Sequence, residues 1–244
     1  MVNLNLFLTP DDSCSYLPDR RSRSLFVDPA ATLNSQLYAQ LLAFGFRRSG
    51  SHVYTTRCNN CVDCIPIRLP VDNFQPSRSQ RRNRNMNNDL SMRQVLEITE
   101  EHVLLYQKYM EFRHHDSPMA HYDLEECRRF MLADWCETIF LEFRLKRKLV
   151  AVAVTDLMPD SLSAVYTYFD PDHNKRALGV CAILYQIEIA RQLALNWLYL
   201  GFWIPQCKKM SYKVNYRPFE LKNGKEWRFF ESKKAFEVPS SENR

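Results

Sequence analysis

Cys58, Cys61 and Cys64 stand in strict C-x-x-C-x-x-C spacing, and Cys14 lies upstream. Four thiolates complete a tetrahedral zinc site or hold an iron–sulfur cluster. Three thiols this close also suit plain reduced cysteines, and spacing alone does not single out Cys14 as a fourth ligand. Then come Arg78, Arg81, Arg82 and Arg84, with Asp72 the one acid between Cys64 and Arg84. A thiol cluster beside concentrated positive charge suggests a metal-stapled element that presents a polyanion-binding strip. A solvated basic loop is the plainer alternative. Cys127, Cys136 and Cys181 sit in apolar or helical settings and read as core.

A second constellation is NKRALGVCAI, Asn174–Ile183, placed after a strand and opening a helix. Glycine in a first helical turn admits a ligand to the backbone, and free N–H groups there attract phosphate. Arg176, Gly179 and Cys181 give R-x-x-G-x-C, which resembles the R/Q-x-x-G-x-G/A loop of the GNAT acyltransferase fold. Cys181 departs from the usual Gly or Ala, which weakens a coenzyme A reading. A third is FWIPQCKKMSYKVNYRP, Phe202–Pro218, where aromatics alternate with Lys208, Lys209, Lys213 and Arg217. Such alternation suits phosphate contacts and stacking on unpaired bases, or a tyrosine-rich cover over a core. A fourth holds Arg113, His114, His115 and His121. Its spacing is poor for zinc, but His114 could act as a general base or a donor lining a site.

These groups need a scaffold, and 244 residues with 45% hydrophobic and 13% aromatic content can build a real core. A net charge of +5 permits a nucleic-acid partner without demanding one. Met1–Pro10 lacks the charge and apolar core of a secretory signal, and no run suits a membrane span. The expectation is a cytoplasmic chain with no membrane partner and reduced thiols.

Leu33, Leu37, Leu41 and Phe44 mark a helix from about Thr32, with Gly45 as its C-cap. Ser51–Thr56 reads as a strand, and Ile65–Val71 as a second, placed at an edge by Pro66 and Pro70. Asn83–Asn88 reads as loop and Ser91–Ile98 as strand. Thr99 opens a helix through Glu111, and Arg113–Asp116 reads as loop. Asp123 with Glu126 forms a capping box for a helix reaching about Trp135. Thr138–Arg144, Leu149–Asp156 and Leu162–Phe169 read as three strands, Ala177–Leu195 as a helix and Trp197–Ile204 as a buried strand. A strand, a helix and a second apolar strand indicate a β-α-β unit with a parallel pair. The tail from Ser232 is expected to fray.

CSYLPDR, the C-x-x-C-x-x-C-x-PIR run, SRSQRRNRN, FRHHDSPM, YTYFDPD and CKKMSYKVNYRP follow one another over roughly residues 5–230. In that order they resemble the arginyl-tRNA–protein transferase family, and most closely its short bacterial branch. The resemblance implies an α+β fold: a smaller cysteine-containing α/β domain, residues 1–88, packed on a GNAT-like transferase domain, residues 89–244. It implies transfer of leucine from leucyl-tRNA to the N-terminal Asp or Glu of a protein, creating an N-degron. Arginine from arginyl-tRNA stays the alternative donor.

No cofactor is required by such chemistry, because the aminoacyl ester is already activated; a zinc or iron–sulfur cluster would be structural. The acceptor carboxylate needs a cation, and Arg68, Arg113 and Lys213 are candidates. Asp170 and Glu188 could hold the ammonium group or accept its proton, Tyr168 could orient either substrate, and His114 completes the catalytic candidates. Arg176, Gly179, Arg78, Arg81, Arg82, Arg84, Lys208 and Lys209 are candidates for the charged tRNA. A non-enzymatic metal-knuckle RNA-binding module would leave the Asn174–Ile183 turn unexplained. A coenzyme-A-dependent acetyltransferase would leave the cysteines and arginines unexplained.

Overall fold

Three long antiparallel strands between residues 137 and 169 lie side by side in the larger sheet, one strand in from an edge. Most residues on the first two are buried, because both faces are covered, whereas the outer half of the third is half-buried. The computed structural model describes residues 3–114 and 117–232. In chain order the strands are β1 (Leu6–Leu8), β2 (Asp12–Ser13), β3 (Arg21–Ser22), β4 (Ser24–Val27), β5 (Arg47–Ser49), β6 (His52–Thr56) and β7 (Ile65–Pro70). There follow β8 (Leu90–Val95), β9 (Glu137–Leu145), β10 (Lys148–Met158), β11 (Ser161–Phe169), β12 (Trp197–Trp203), β13 (Phe219–Asn223) and β14 (Glu226–Phe230). The helices are α1 (Ser35–Ala43), α2 (Arg78–Met86), α3 (Glu100–His114), α4 (Leu124–Met131) and α5 (Leu178–Gln192).

The large sheet runs β14-β13-β7-β12-β11-β10-β9-β8, and a smaller one runs β1-β4-β6-β5. The chain is therefore a mixed α+β protein with a larger C-terminal sheet region and a smaller N-terminal part. Alternation along β9 and β10 divides their side chains between two cores. Ile139, Leu141, Phe143, Ala151 and Ala153 pack with α5 residues such as Ala182 and Ile183. Phe140, Val152 and Val154 pack with Val103, Tyr106 and Met110 of α3. Full burial of each large apolar side chain is worth about 1.5–3 kcal/mol. A third core joins α1 and the small sheet to Met158 and Tyr199 of the large one.

The three-strand meander, α5 and the parallel β11–β12 pair match the sequence reading. So does the capping box, where Asp123 accepts from Glu126 N–H and Glu126 accepts from Asp123 N–H. Cys127, Cys136 and Cys181 are buried. Other elements differ. β7 is not an edge strand: it lies between β12 and β13. Its prolines are tolerated because β13 pairs only with Ile67 and Arg68, leaving Pro66 and Pro70 outside that ladder. Through β7 the first 88 residues contribute a strand to the large sheet.

Asn83–Asn88 is not loop throughout, since α2 extends to Met86. Ser77 and Gln80 form its capping box. Its buried face is polar: Gln80 donates to Asn215 O, and Asn83 donates to Arg176 O and Ala177 O. Asn87 donates to Arg176 O as well. α3 continues past Glu111 to His114, whereas α4 stops at Met131, short of Trp135. His115, Asp116 and the tail beyond Ser232 lie outside the described residues.

Candidate functional site

β11 and β12 pair in parallel only where Ser161–Ser163 meets Trp197–Tyr199. Beyond that they part, β11 continuing to Phe169 and β12 to Trp203. Bulges accompany the parting: the β10–β11 register shifts at Val154/Thr155, and the β12–β7 register shifts between Tyr199 and Gly201. Bulges bend a strand and sharpen its twist, which opens a fork between the two. Along β11, Ala164–Thr167 and Phe169 are only half-buried there.

Arg47 of β5 enters this fork. Its Nη2 donates to Ala164 O at 3.2 Å. Opposite stands Gly201, at φ +85°, where a Cβ would overlap Arg47 Nη1. Glycine is required there twice over, for the backbone angle and for the guanidinium. Arg47 Nε and Nη1 are buried without a partner. Lys213 lies nearby on a short 3-10 turn, Ser211–Asn215, and its Nζ donates to Phe202 O at 2.7 Å. Burial pushes its ammonium down to about 7, and the Arg47 charge pushes the same way.

Aromatic rings line the β11 side of the fork. Tyr109 meets Tyr166 and Phe169 edge-on, with centroids at 6.5 and 5.1 Å. Burial raises the phenol pKa values of Tyr109 and Tyr166, and the exposed Arg113 lies close enough to offset part of that. Arg113, Arg47 and Lys213 thus gather around one aromatic-lined opening.

The other nominated residues are placed differently. Tyr168 is fully buried in the α3-side core, its hydroxyl unpartnered and its phenol raised by burial. Asp170 is buried and held by Lys108 at 2.6 Å and Lys148 at 2.9 Å. Burial alone would raise its carboxyl, but the two lysines hold it at about 2. It is a fixed carboxylate at neutral pH. Glu188 lies on α5, 3.8 Å from Arg84. The two share the wall of a cavity between α2 and α5, of about 330 Å³, with Phe74, Arg81, Leu184 and Arg191. His114 ends α3.

Arg68 is enclosed: its guanidinium stacks 3.5 Å from Trp197 and 4.3 Å from Trp227. It also pairs with Glu220 at 2.7 Å, so its carboxylate is internal. Arg176 is engaged by Asp89 at 2.7 and 2.9 Å. Gly179 stands in the first turn of α5, where a Cβ would meet only Phe169, at 3.9 Å. Arg78, Arg81, Arg82 and Arg84 are exposed on α2, Arg81 and Arg84 toward the α5 cavity, and Lys208 and Lys209 are exposed.

The four thiols Cys14, Cys58, Cys61 and Cys64 are free and half-buried. Burial pushes Cys64 up to about 12, and Cys58, Cys14 and Cys61 lie near enough to add to it. Cys14 follows β2, and Cys58, Cys61 and Cys64 lie in the β6–β7 loop; thiolates are the donor type that zinc and iron–sulfur clusters take. Among the described residues, no three His, Cys, Asp or Glu side chains are grouped to hold a metal ion.

Sequence reasoning did not find Arg47. A usable signal was Gly201, one of only five glycines, set inside an apolar strand. Such a glycine marks a bulge or a close approach.

Comparison with known proteins shows the family. The sequence family described as "Arginine-tRNA-protein transferase, C terminus" matches residues 101–223, and its N-terminal counterpart matches residues 12–82. An aspartate/glutamate leucyltransferase of Hahella chejuensis is 49% identical over 89% of this chain and 94% of its own. One of Saccharophagus degradans is 47% identical over 93% of this chain and 97% of its own. Among solved structures, L-PGS from Bacillus licheniformis has a TM-score of 0.45 and 11% identity, over 68% of this chain and 49% of that one. That likeness is too slight to argue from. The two family matches and the near-half identity agree along the chain, which belongs to the arginine-tRNA–protein transferase family.

Proposed function

We propose that this chain transfers leucine from leucyl-tRNA to the N-terminal aspartate or glutamate of a protein, exposing a new N-terminus that marks the product for degradation. The near-half identity to leucyltransferases along almost the whole chain carries this reading. The antiparallel meander, α5 and the parting parallel pair support a GNAT-like architecture for the C-terminal sheet. The reaction belongs in the fork between β11 and β12.

The chemistry asks little of a side chain. The donor ester is activated, and the acceptor α-amine has an ordinary pKa near 8. Alignment of amine and carbonyl is the main task, and well-oriented pairs gain about 7–11 kcal/mol. Tyr109, Tyr166 and Phe169 offer an apolar wall for a leucine side chain, worth about 1.5–3 kcal/mol. Asp170, though ionised, is occupied by two lysines, so its part is to fix the turn leading into α5. The exposed arginines of α2, with Lys208 and Lys209, suit tRNA phosphates.

We also infer a structural zinc or iron–sulfur cluster on Cys14, Cys58, Cys61 and Cys64. It would tie the β2–β3 hairpin to the β6–β7 loop and supply no step of the transfer. Anaerobic purification followed by metal analysis tests it, and full thiol titration of the native protein without metal rejects it. No helix among the described residues is long and apolar enough to cross a membrane. A cytoplasmic location is part of this reading.

The assay offers peptides beginning with Asp, Glu or Ala, with leucyl-tRNA and arginyl-tRNA in parallel. Leucine on the acidic peptides alone is expected. Faster arginine transfer would overturn the donor.

A further inference from the structure

Two neighbouring arginines on β5 receive opposite treatment. Arg48 is fully satisfied, bonded to Asp156, Gly50 O, Met131 O and Thr138. Arg47 keeps one hydrogen bond, to Ala164 O, and two buried nitrogens without any. Beside it Lys213 is 7% exposed and makes one hydrogen bond, to a carbonyl. No carboxylate pairs with either cation among the described residues.

Leaving donors of a buried guanidinium unpaired is costly, and so is bringing a second cation up to it. The fold nonetheless makes room for the arrangement. Gly201 is bent to φ +85° and stripped of a side chain where the guanidinium lies. A buried charged group left unsatisfied calls for an explanation, and uptake of a ligand is one.

We infer that Arg47 and Lys213 together form the pocket that reads the side-chain carboxylate of the acceptor's N-terminal Asp or Glu, each cation taking one oxygen. This rests on the function proposed above. The position fits the chemistry of that substrate. In an N-terminal aspartate the carboxylate is two carbon atoms from the α-amine, so its site must adjoin the place where the amine attacks. Arg47 lies inside the fork, between Ala164 of β11 and Gly201 of β12. A tRNA phosphate is the lesser fit, because a backbone strand would have to enter between the strands while the arginines of α2 stand exposed outside. The assignment gives the N-terminal part a chemical role: it supplies the specificity arginine to a fork built by the C-terminal sheet.

Arg47→Met and Lys213→Met test it, with peptides beginning Asp or Asn. For Arg47→Met, kcat/KM with the Asp peptide should fall by about 30- to 1,000-fold, the usual loss for one partner of a desolvated charge pair. The preference for Asp over Asn should collapse, while KM for leucyl-tRNA stays as in the wild type. A purely structural arginine would lower both peptides equally. Lys213→Met should reduce the same preference, and it serves alone if Arg47→Met does not fold. Calorimetry of peptide binding without tRNA separates this inference from the reaction. A wild type that transfers leucine, with a full Asp preference retained in the folded variants, rejects the pocket and keeps the function. A wild type that binds Asp over Asn through Arg47 yet transfers nothing keeps the pocket and rejects the reaction.

Discussion

The guanidinium of Arg48 is gripped by both carboxylate oxygens of Asp156, at 2.7 and 2.5 Å, with both side chains wholly buried. It ties β5 of the small sheet to β10 of the large one, and Thr138 donates to Asp156 as well, at 2.8 Å. Removing one partner strands the other charge in the interior. Asp156→Ala should therefore cost about 3–5 kcal/mol. Replacing both residues with apolar ones of similar volume should recover much of it. Urea unfolding of the two variants checks this, and a loss under 1 kcal/mol in the single variant would contradict it.

Stability should fall as the solution is acidified. Burial would raise the Glu142 carboxyl, but Arg93 and Arg144 hold it at about 2. A carboxyl lowered on folding contributes stability above its unfolded value and loses it as pH drops through the folded one. For Glu142 and Asp170 that loss spans the interval from about 4 to about 2. His102 acts in the same direction: burial lowers its pKa, opposed by Glu142, so the unfolded chain takes up its proton first as pH drops below 6.5. The neutral ring accepts from Thr99 N–H at 2.9 Å through Nδ1 and turns Nε2 toward Glu142 at 3.0 Å. The urea midpoint should decline steadily from pH 6.5 toward pH 2, and a flat profile would refute this account.

Arg81 and Arg82 should flatten the salt dependence of tRNA binding when both are changed to Ala. Each lost phosphate contact removes about 0.7–0.9 from the slope of log affinity against log salt. Filter binding over a salt series reads the change. An unaltered slope would assign both arginines to solvent.

Gly179 offers a graded test of the turn into α5. A methyl there meets only Phe169, at 3.9 Å, so Gly179→Ala should fold and gain about 0.5–1 kcal/mol from helix propensity. Gly179→Val should also fold yet abolish transfer, because the added bulk fills space toward the donor. Full activity in the valine variant would remove this turn from the donor site.

The meander β9–β11, α5 and β12 were legible because their apolar residues repeat with the period of the element that buries them. α2 was not, because its inner face is Gln80, Asn83 and Asn87, and hydrogen-bonding amides leave no apolar stripe to read. Arg68 looked like a free cation in the sequence. Its partners, Trp197, Trp227 and Glu220, all come from more than 120 residues away, as its 131-residue reach to Tyr199 illustrates. The fork escaped notice for the same reason: Arg47 meets Ala164 across 117 residues. Local pattern carries local structure, whereas convergence depends on register between distant strands.

β7 has a consequence for how this protein is made. Its neighbours in the sheet, β12 and β13, are contacted by Arg68 at separations of 131 and 152 residues. At about 5–20 residues per second, a ribosome needs roughly 7–26 s to produce the first of them. Through that interval a nascent Ile-Pro-Ile-Arg-Leu-Pro segment waits with both edges open. Pro66 and Pro70 carry no N–H to offer a passing strand, and Arg68 adds charge between them. The residues that look least suited to an interior strand are the ones that protect it from other chains until its own partners arrive.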